Sequence, residues 1–150
     1  MIPAMLLLAA SLAADAPKLS DEAKKELAKF DGQWKFVEWI RAGESQAPGA
    51  DDDILFEIKD GHVKVLVDGK IIQESRVAAL DPKKNPKTLD MKARLADAKR
   101  DETTEEGIYM FEKERLFICV YKGKDKRRPM DFDTVKQEEV ELFVLERKKK

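Results

Sequence analysis

One cysteine and one histidine in 150 residues exclude most covalent and metal chemistry before any motif is sought. Cys119 has no partner for an intramolecular disulfide. Inside the apolar run Leu116-Phe117-Ile118-Cys119-Val120 it reads as a buried small hydrophobe. A zinc site would need His62, Cys119 and carboxylates to converge, and no ligand-spacing motif supports that. His62 follows an Asp-Gly pair and reads as a surface residue. No glycine-rich phosphate loop, Gly-x-Ser-x-Gly or His-Glu-x-x-His occurs, so no metal, cofactor or catalytic residue is expected. Charge of one sign is lacking too. Lysine plus arginine (29) nearly cancels aspartate plus glutamate (30), leaving a net charge of −1 and no field to recruit nucleic acid or anionic membrane. Apolar runs long enough to span a bilayer are missing as well.

What is present fits one folded domain. An apolar fraction of 43% suffices for a core in a chain of this length, alongside an unusually high 39% of charged residues. Residues 1–16, MIPAMLLLAASLAADA, hold an apolar stretch of about ten residues and then the A-x-A pattern Ala14-Asp15-Ala16, the layout of a secretory signal. The basic residue that usually precedes the apolar stretch is missing, as a start codon assigned too far downstream would explain. The expectation is an exported protein, periplasmic or extracellular, with its single domain over residues 17–150.

Ser20 is placed to cap a helix, with Asp21 and Glu22 in the first turn where the helix dipole favours negative charge. Leu19, Ala23, Leu27 and Phe30 then mark one apolar helix face, ended at Asp31-Gly32. From Trp34 to Ile40 the chain reads as a strand with apolar residues on both faces. Gly43 to Asp53 is a polar loop whose Asp51-Asp52-Asp53 lacks the spacing of a calcium loop. Beyond it Ile54, Phe56 and Ile58, then Val63, Val65 and Val67, alternate with polar residues. Asp60-Gly61 and Asp68-Gly69 are two-residue hairpin signals between these runs. Further strands are read at Lys70–Leu80, Lys87–Ala93, Gly107–Glu112, Leu116–Tyr121 and Val140–Arg147, with Arg94–Glu105 as a charged loop or single helical turn. Eight short, evenly spaced strands behind one helix predict an antiparallel barrel.

A short helix, Gly32-x-Trp34 opening the first strand and Arg147 closing the last form the lipocalin pattern. Over residues 20–150 the chain resembles a family of small lipocalin-like domains of unknown function, abundant in planctomycete bacteria. The resemblance is carried by Gly32-Gln33-Trp34-Lys35, Asp68-Gly69-Lys70, Pro86-Lys87-Thr88-Leu89-Asp90, Gly107-Ile108-Tyr109, Arg128-Pro129 and Leu145-Glu146-Arg147. The Thr-Asp-Tyr element of true lipocalins is missing, so kinship with hormone or retinol carriers is not implied. The resemblance implies a barrel whose closed end is crossed by Trp34 and covered by Arg147, with Gly32 in the same structural set. It brings no activity.

These observations lead to a mainly β fold, an eight-stranded antiparallel lipocalin-like barrel with a short N-terminal helix. The leading functional reading is non-catalytic binding of a small apolar ligand in the barrel, or of a protein partner at its rim. Ligand-contacting candidates are Trp39, Tyr109 and Arg128, together with Glu74 and Arg76, which share a strand face with Ile72 and either enter the barrel or form its solvated side. An alternative is a small enzyme acting on a hydrophobic substrate with Glu74 or Asp90 as acid or base. A third is a structural or inhibitory domain using the loops Gly43–Asp53 and Lys122–Asp131. The cluster Lys122-Gly123-Lys124-Asp125-Lys126-Arg127-Arg128 has only Tyr121 as a nearby stacking residue and reads as a solvated loop. The bulk of the six inward-pattern residues between Ile54 and Val67 leaves a filled barrel as open as a pocket.

Overall fold

The computed structural model describes residues 18–95, 103–124 and 127–150; the signal-like segment 1–16 lies outside them. A helix α1 (Asp21–Ala28) precedes the strands β1 (Gly32–Arg41), β2 (Glu44–Gln46), β3 (Ile54–Lys59), β4 (His62–Val67), β5 (Lys70–Asp81), β6 (Lys87–Leu95), β7 (Thr103–Glu112), β8 (Arg115–Tyr121) and β9 (Val140–Arg147). All pairings are antiparallel and between neighbours, and β9 returns to pair with β1. Eight strands therefore close into a barrel, and β2 is appended to the far end of β1.

Local chemistry accounts for the first half. The Ser20 side chain accepts a hydrogen bond from the Ala23 amide at 3.1 Å and caps α1. Both hairpins form as the Asp-Gly pairs dictate. Asp60 and Gly61 have φ of 49° and 82°, Asp68 and Gly69 of 50° and 78°, which matches the right-handed strand twist. A third tight turn, Ala42-Gly43, joins β1 to β2 inside what the sequence presents as a plain polar loop. β7 likewise begins at Thr103, inside the expected loop or helical turn.

Three bulges set which side chains face inward; one of them, between Val77 and Ala79, leaves Ala78 as the extra residue of β5 against β6. In β1, Phe36 pairs with Leu145 and Glu38 with Val144, so Val37 is an extra residue that inverts the alternation. Before the bulge Trp34 and Phe36 belong to the interior; after it Ile40 belongs to a cluster on the outside of the barrel. In β5 the register slips between the pairs Val65–Gln73 and Leu66–Ile71, leaving Ile72 as the extra residue.

Two apolar cores result. The interior core includes Trp34, Ile58, Val63, Leu89, Tyr109, Ile118 and Leu145. The outer core joins Ile108, Cys119, Val140, Leu142 and Val144, with Ile40 and Phe132 packed against it. What covers the second face of β1 is thus the segment between β8 and β9, not the helix. Arg128 fastens this strap to the barrel wall through the Gly107 carbonyl and the Asp90 carboxylate, each at 2.7 Å. Gln137 ties it internally to Asp131 and Asp133. β9 ends at Arg147, as the strand pattern implies, and the Lys148 amide just beyond it donates to the Gln33 carbonyl at 2.9 Å.

Candidate functional site

The two ends of the barrel differ in kind. At the closed end α1 lies across the opening and its last turn delivers Phe30 into the core, where the ring meets Tyr109 and Phe111 with centroids 5.0 and 4.8 Å away. Trp34 is 1% exposed and donates from Nε1 to the Phe30 carbonyl at 2.7 Å. The Arg147 guanidinium sits 4.1 Å from the Trp34 ring centroid, a cation–π contact, and donates to the carbonyls of Asp31 and Lys29 at 2.9 and 2.7 Å. Gly32 makes this possible. Its φ is +132°, and a Cβ there would stand 3.0 Å from Arg147 Nη1.

A buried carboxylate completes the plug. Glu26 accepts from Lys29 at 2.5 Å, from Lys87 at 2.7 Å and from the Tyr109 hydroxyl at 3.2 Å. Burial pushes its pKa up, but hydrogen bonds and charge from Lys29 and Lys87 outweigh that and hold it below the ordinary value. Burial, reinforced by the Glu26 charge, raises the Tyr109 phenol well above its usual range. Tyr109 is therefore a neutral donor in the plug and lines no open space.

Above the plug lies a cavity of about 250 Å³. Its floor and walls are Phe30, Phe36, Phe56, Ile58, Val63, Val65, Val77, Leu89, Met91, Ile118, Val120 and Phe143. The alternating residues of β3 and β4 do point inward, yet the barrel is not filled. Ser75 on the cavity wall and its cross-strand partner Ala93 are short. The polar lining is Gln73, Ser75, Glu105 and Lys122, with Ile54, Val67 and Ile72 at the same end. Glu105 and Lys122 form a close ion pair at that rim.

The sequence-predicted ligand contacts fall elsewhere. Glu74 and Arg76 lie on the outer face, along a shallow groove with Lys64, Lys92 and Arg94. The bulge at Ile72 is the reason: it puts Ile72, Gln73, Ser75 and Val77 on the cavity and turns Glu74 and Arg76 outward. Asp90 is also outside, held by Arg128, and both belong to the strap anchor. Trp39 faces inward opposite Phe143 but is not among the cavity-lining residues, and its buried Nε1 finds no acceptor among the described residues. Cys119 is fully buried under the strap; burial, with the Asp131 charge beside it, pushes its pKa up to about 12, which makes it an inert thiol at neutral pH. Gln73, Ser75 and Glu105 were not singled out by sequence reasoning, and Lys122 was read only as the start of a solvated basic loop. Gln73 and Ser75 sit beside the bulge, and Glu105 lies in a stretch of eight charged or polar residues, 99–106, with no strand alternation.

No family model matches the chain, no curated protein matches it, and no solved structure matches it.

Proposed function

We propose that the protein is an exported, lipocalin-like binding protein that holds a small apolar molecule non-catalytically in its barrel. The observation that carries this reading is the cavity itself: an apolar shaft of about 250 Å³, closed below by an aromatic plug and rimmed above by a few polar groups. Ligand sites are typically apolar clefts with a few placed polar groups, of roughly 300–1,000 Å³, so this one suits a compact ligand. An engineered cavity of about 150 Å³ already accepts benzene. The family resemblance in Gly32, Trp34 and Arg147 and the signal-like residues 1–16 supply the lipocalin-like and exported parts of the proposal. An enzymatic reading loses its acid–base candidates, because Glu74 and Asp90 lie on the outside of the wall.

The test is an NMR titration of the ¹⁵N-labelled protein with p-xylene, a rigid apolar probe. Shifts concentrated at the amides of Val65, Val77, Val120 and Phe143, and lost in Val65→Trp and Val120→Trp variants that remain folded, are expected. Shifts spread over the outer surface, or unchanged in both filled variants, would reject the reading.

A further inference from the structure

The polar side chains that line the cavity gather towards its open end. Glu105 and Lys122 meet at the rim from β7 and β8, and Gln73 and Ser75 face them from β5 across the short and flexible Ala93 and Met91 of β6. We infer that the cavity selects an uncharged amphiphile: a chain of about eight carbons or a single ring, sized against the benzene-holding cavity, carrying one hydroxyl or primary amide that docks between Glu105, Lys122 and Ser75. This inference rests on the proposed binding function and specifies the ligand's head.

The charge balance of the rim carries the argument. The side chains of Glu105 and Lys122 are 20% and 36% exposed, so their pairing is partly desolvated and already complete. Among the described residues of the inward strand faces the other acidic one, Glu141, is 8% exposed and is matched by Arg41, its register partner on β1, at 3.9 Å. Among the described residues, both inward-facing carboxylates of the strands thus have a cation. A carboxylate head would have to displace Glu105 from Lys122, and an ammonium head would have to displace Lys122 from Glu105. Either leaves one half-buried charge without a partner, which a low-dielectric site penalises heavily. A neutral head leaves both pairs intact.

Hydrogen-bond inventory points the same way. Lys122 offers only donors and Glu105 only acceptors. The Ser75 hydroxyl accepts from Gln73 Nε2 at 3.1 Å and keeps its own proton to donate. A hydroxyl or primary amide both donates and accepts, so it can give to Glu105 while receiving from Lys122 or Ser75. A pure hydrocarbon can do neither, and gains only the apolar contacts of the shaft.

The experiment is a calorimetric and ¹⁵N NMR titration of octan-1-ol, octanamide, octanoate and octylammonium at pH 7, with p-xylene as the headless reference. The expected result is octan-1-ol or octanamide binding at least about tenfold more tightly than either charged homologue, with the amides of Glu105 and Lys122 shifting alongside those of Val65. Ser75→Ala is expected to weaken octan-1-ol several-fold and leave p-xylene unchanged. Breaking the pair is expected to invert the selectivity, Lys122→Met towards octylammonium and Glu105→Gln towards octanoate. Equal or tighter binding of a charged homologue to the unaltered protein would overturn the head-group inference while p-xylene binding still upheld the barrel site. Silence of the cavity amides towards every probe, p-xylene included, would overturn both.

Discussion

Replacing Trp34 by alanine removes the largest side chain of the closed end, and the structure sets the expected cost. The ring is 1% exposed, its Nε1 hydrogen bond to Phe30 is 2.7 Å long, and Arg147 covers its face at 4.1 Å. Truncation of a fully buried Trp typically costs about 3–5 kcal/mol, cavity term included. The cation–π contact and the hydrogen bond lie within that sum, since they vanish with the same atoms. With a urea slope of about 2 kcal/mol/M, the unfolding midpoint falls by about 2 M. Trp34→Phe separates the contributions. It keeps a ring under Arg147 but leaves the buried Phe30 carbonyl without its donor, for a loss of about 1–2 kcal/mol. Equilibrium urea unfolding followed by far-UV circular dichroism reads both. A loss below about 1 kcal/mol for Trp34→Ala, or equal losses for the two variants, would refute the assignment of Trp34 as the plug of the barrel.

Trp39 behaves oppositely although it lies on the same strand. Its buried Nε1 has no acceptor among the described residues, so Trp39→Phe is expected to leave stability unchanged or raise it by about 1 kcal/mol in the same urea assay. Glu26 gives the plug a pH dependence. Its pKa in the folded protein lies below the ordinary 4.5, so its contribution is complete above that value and is lost as pH falls through the depressed one. Glu26→Gln should therefore cost about 1–2 kcal/mol at pH 7 and make the acid limb of a melting-temperature profile shallower below pH 4.5. Arg128→Met releases the strap from Asp90 and the Gly107 carbonyl, and faster amide exchange at Lys122 and Val140, with the amide of Trp34 unaffected, is the expected signature.

The fold was readable where local chemistry and tertiary demand coincide. Asp60-Gly61 and Asp68-Gly69 can take the positive φ their turns need, and the valines between them alternate cleanly, so strands, register and inward face follow together. The site was less readable because inserted residues shift its phase. Counting by twos from Ile72 assigns Glu74 and Arg76 to the interior, whereas the bulge hands those inward positions to Gln73 and Ser75. At Val37 the same device turned a strand with two apolar faces into a wall shared by two cores. The strap was hidden for another reason. Phe132 and Arg128 act through isolated long-range contacts, and segments held that way carry no period. Finally, the room inside depends on the short Ser75 and Ala93, which lie outside the hairpin of bulky residues that suggested a filled barrel.

Native mass spectrometry of the protein, purified from the cells that make it and compared with its Val65→Trp variant, tests the binding reading most directly. The expected result is a fraction of the protein carrying an uncharged small molecule of defined mass, released on gentle activation and missing from the filled variant. The protein at bare mass, even after incubation with a neutral organic extract of the same cells, or an adduct retained equally by Val65→Trp, would contradict it.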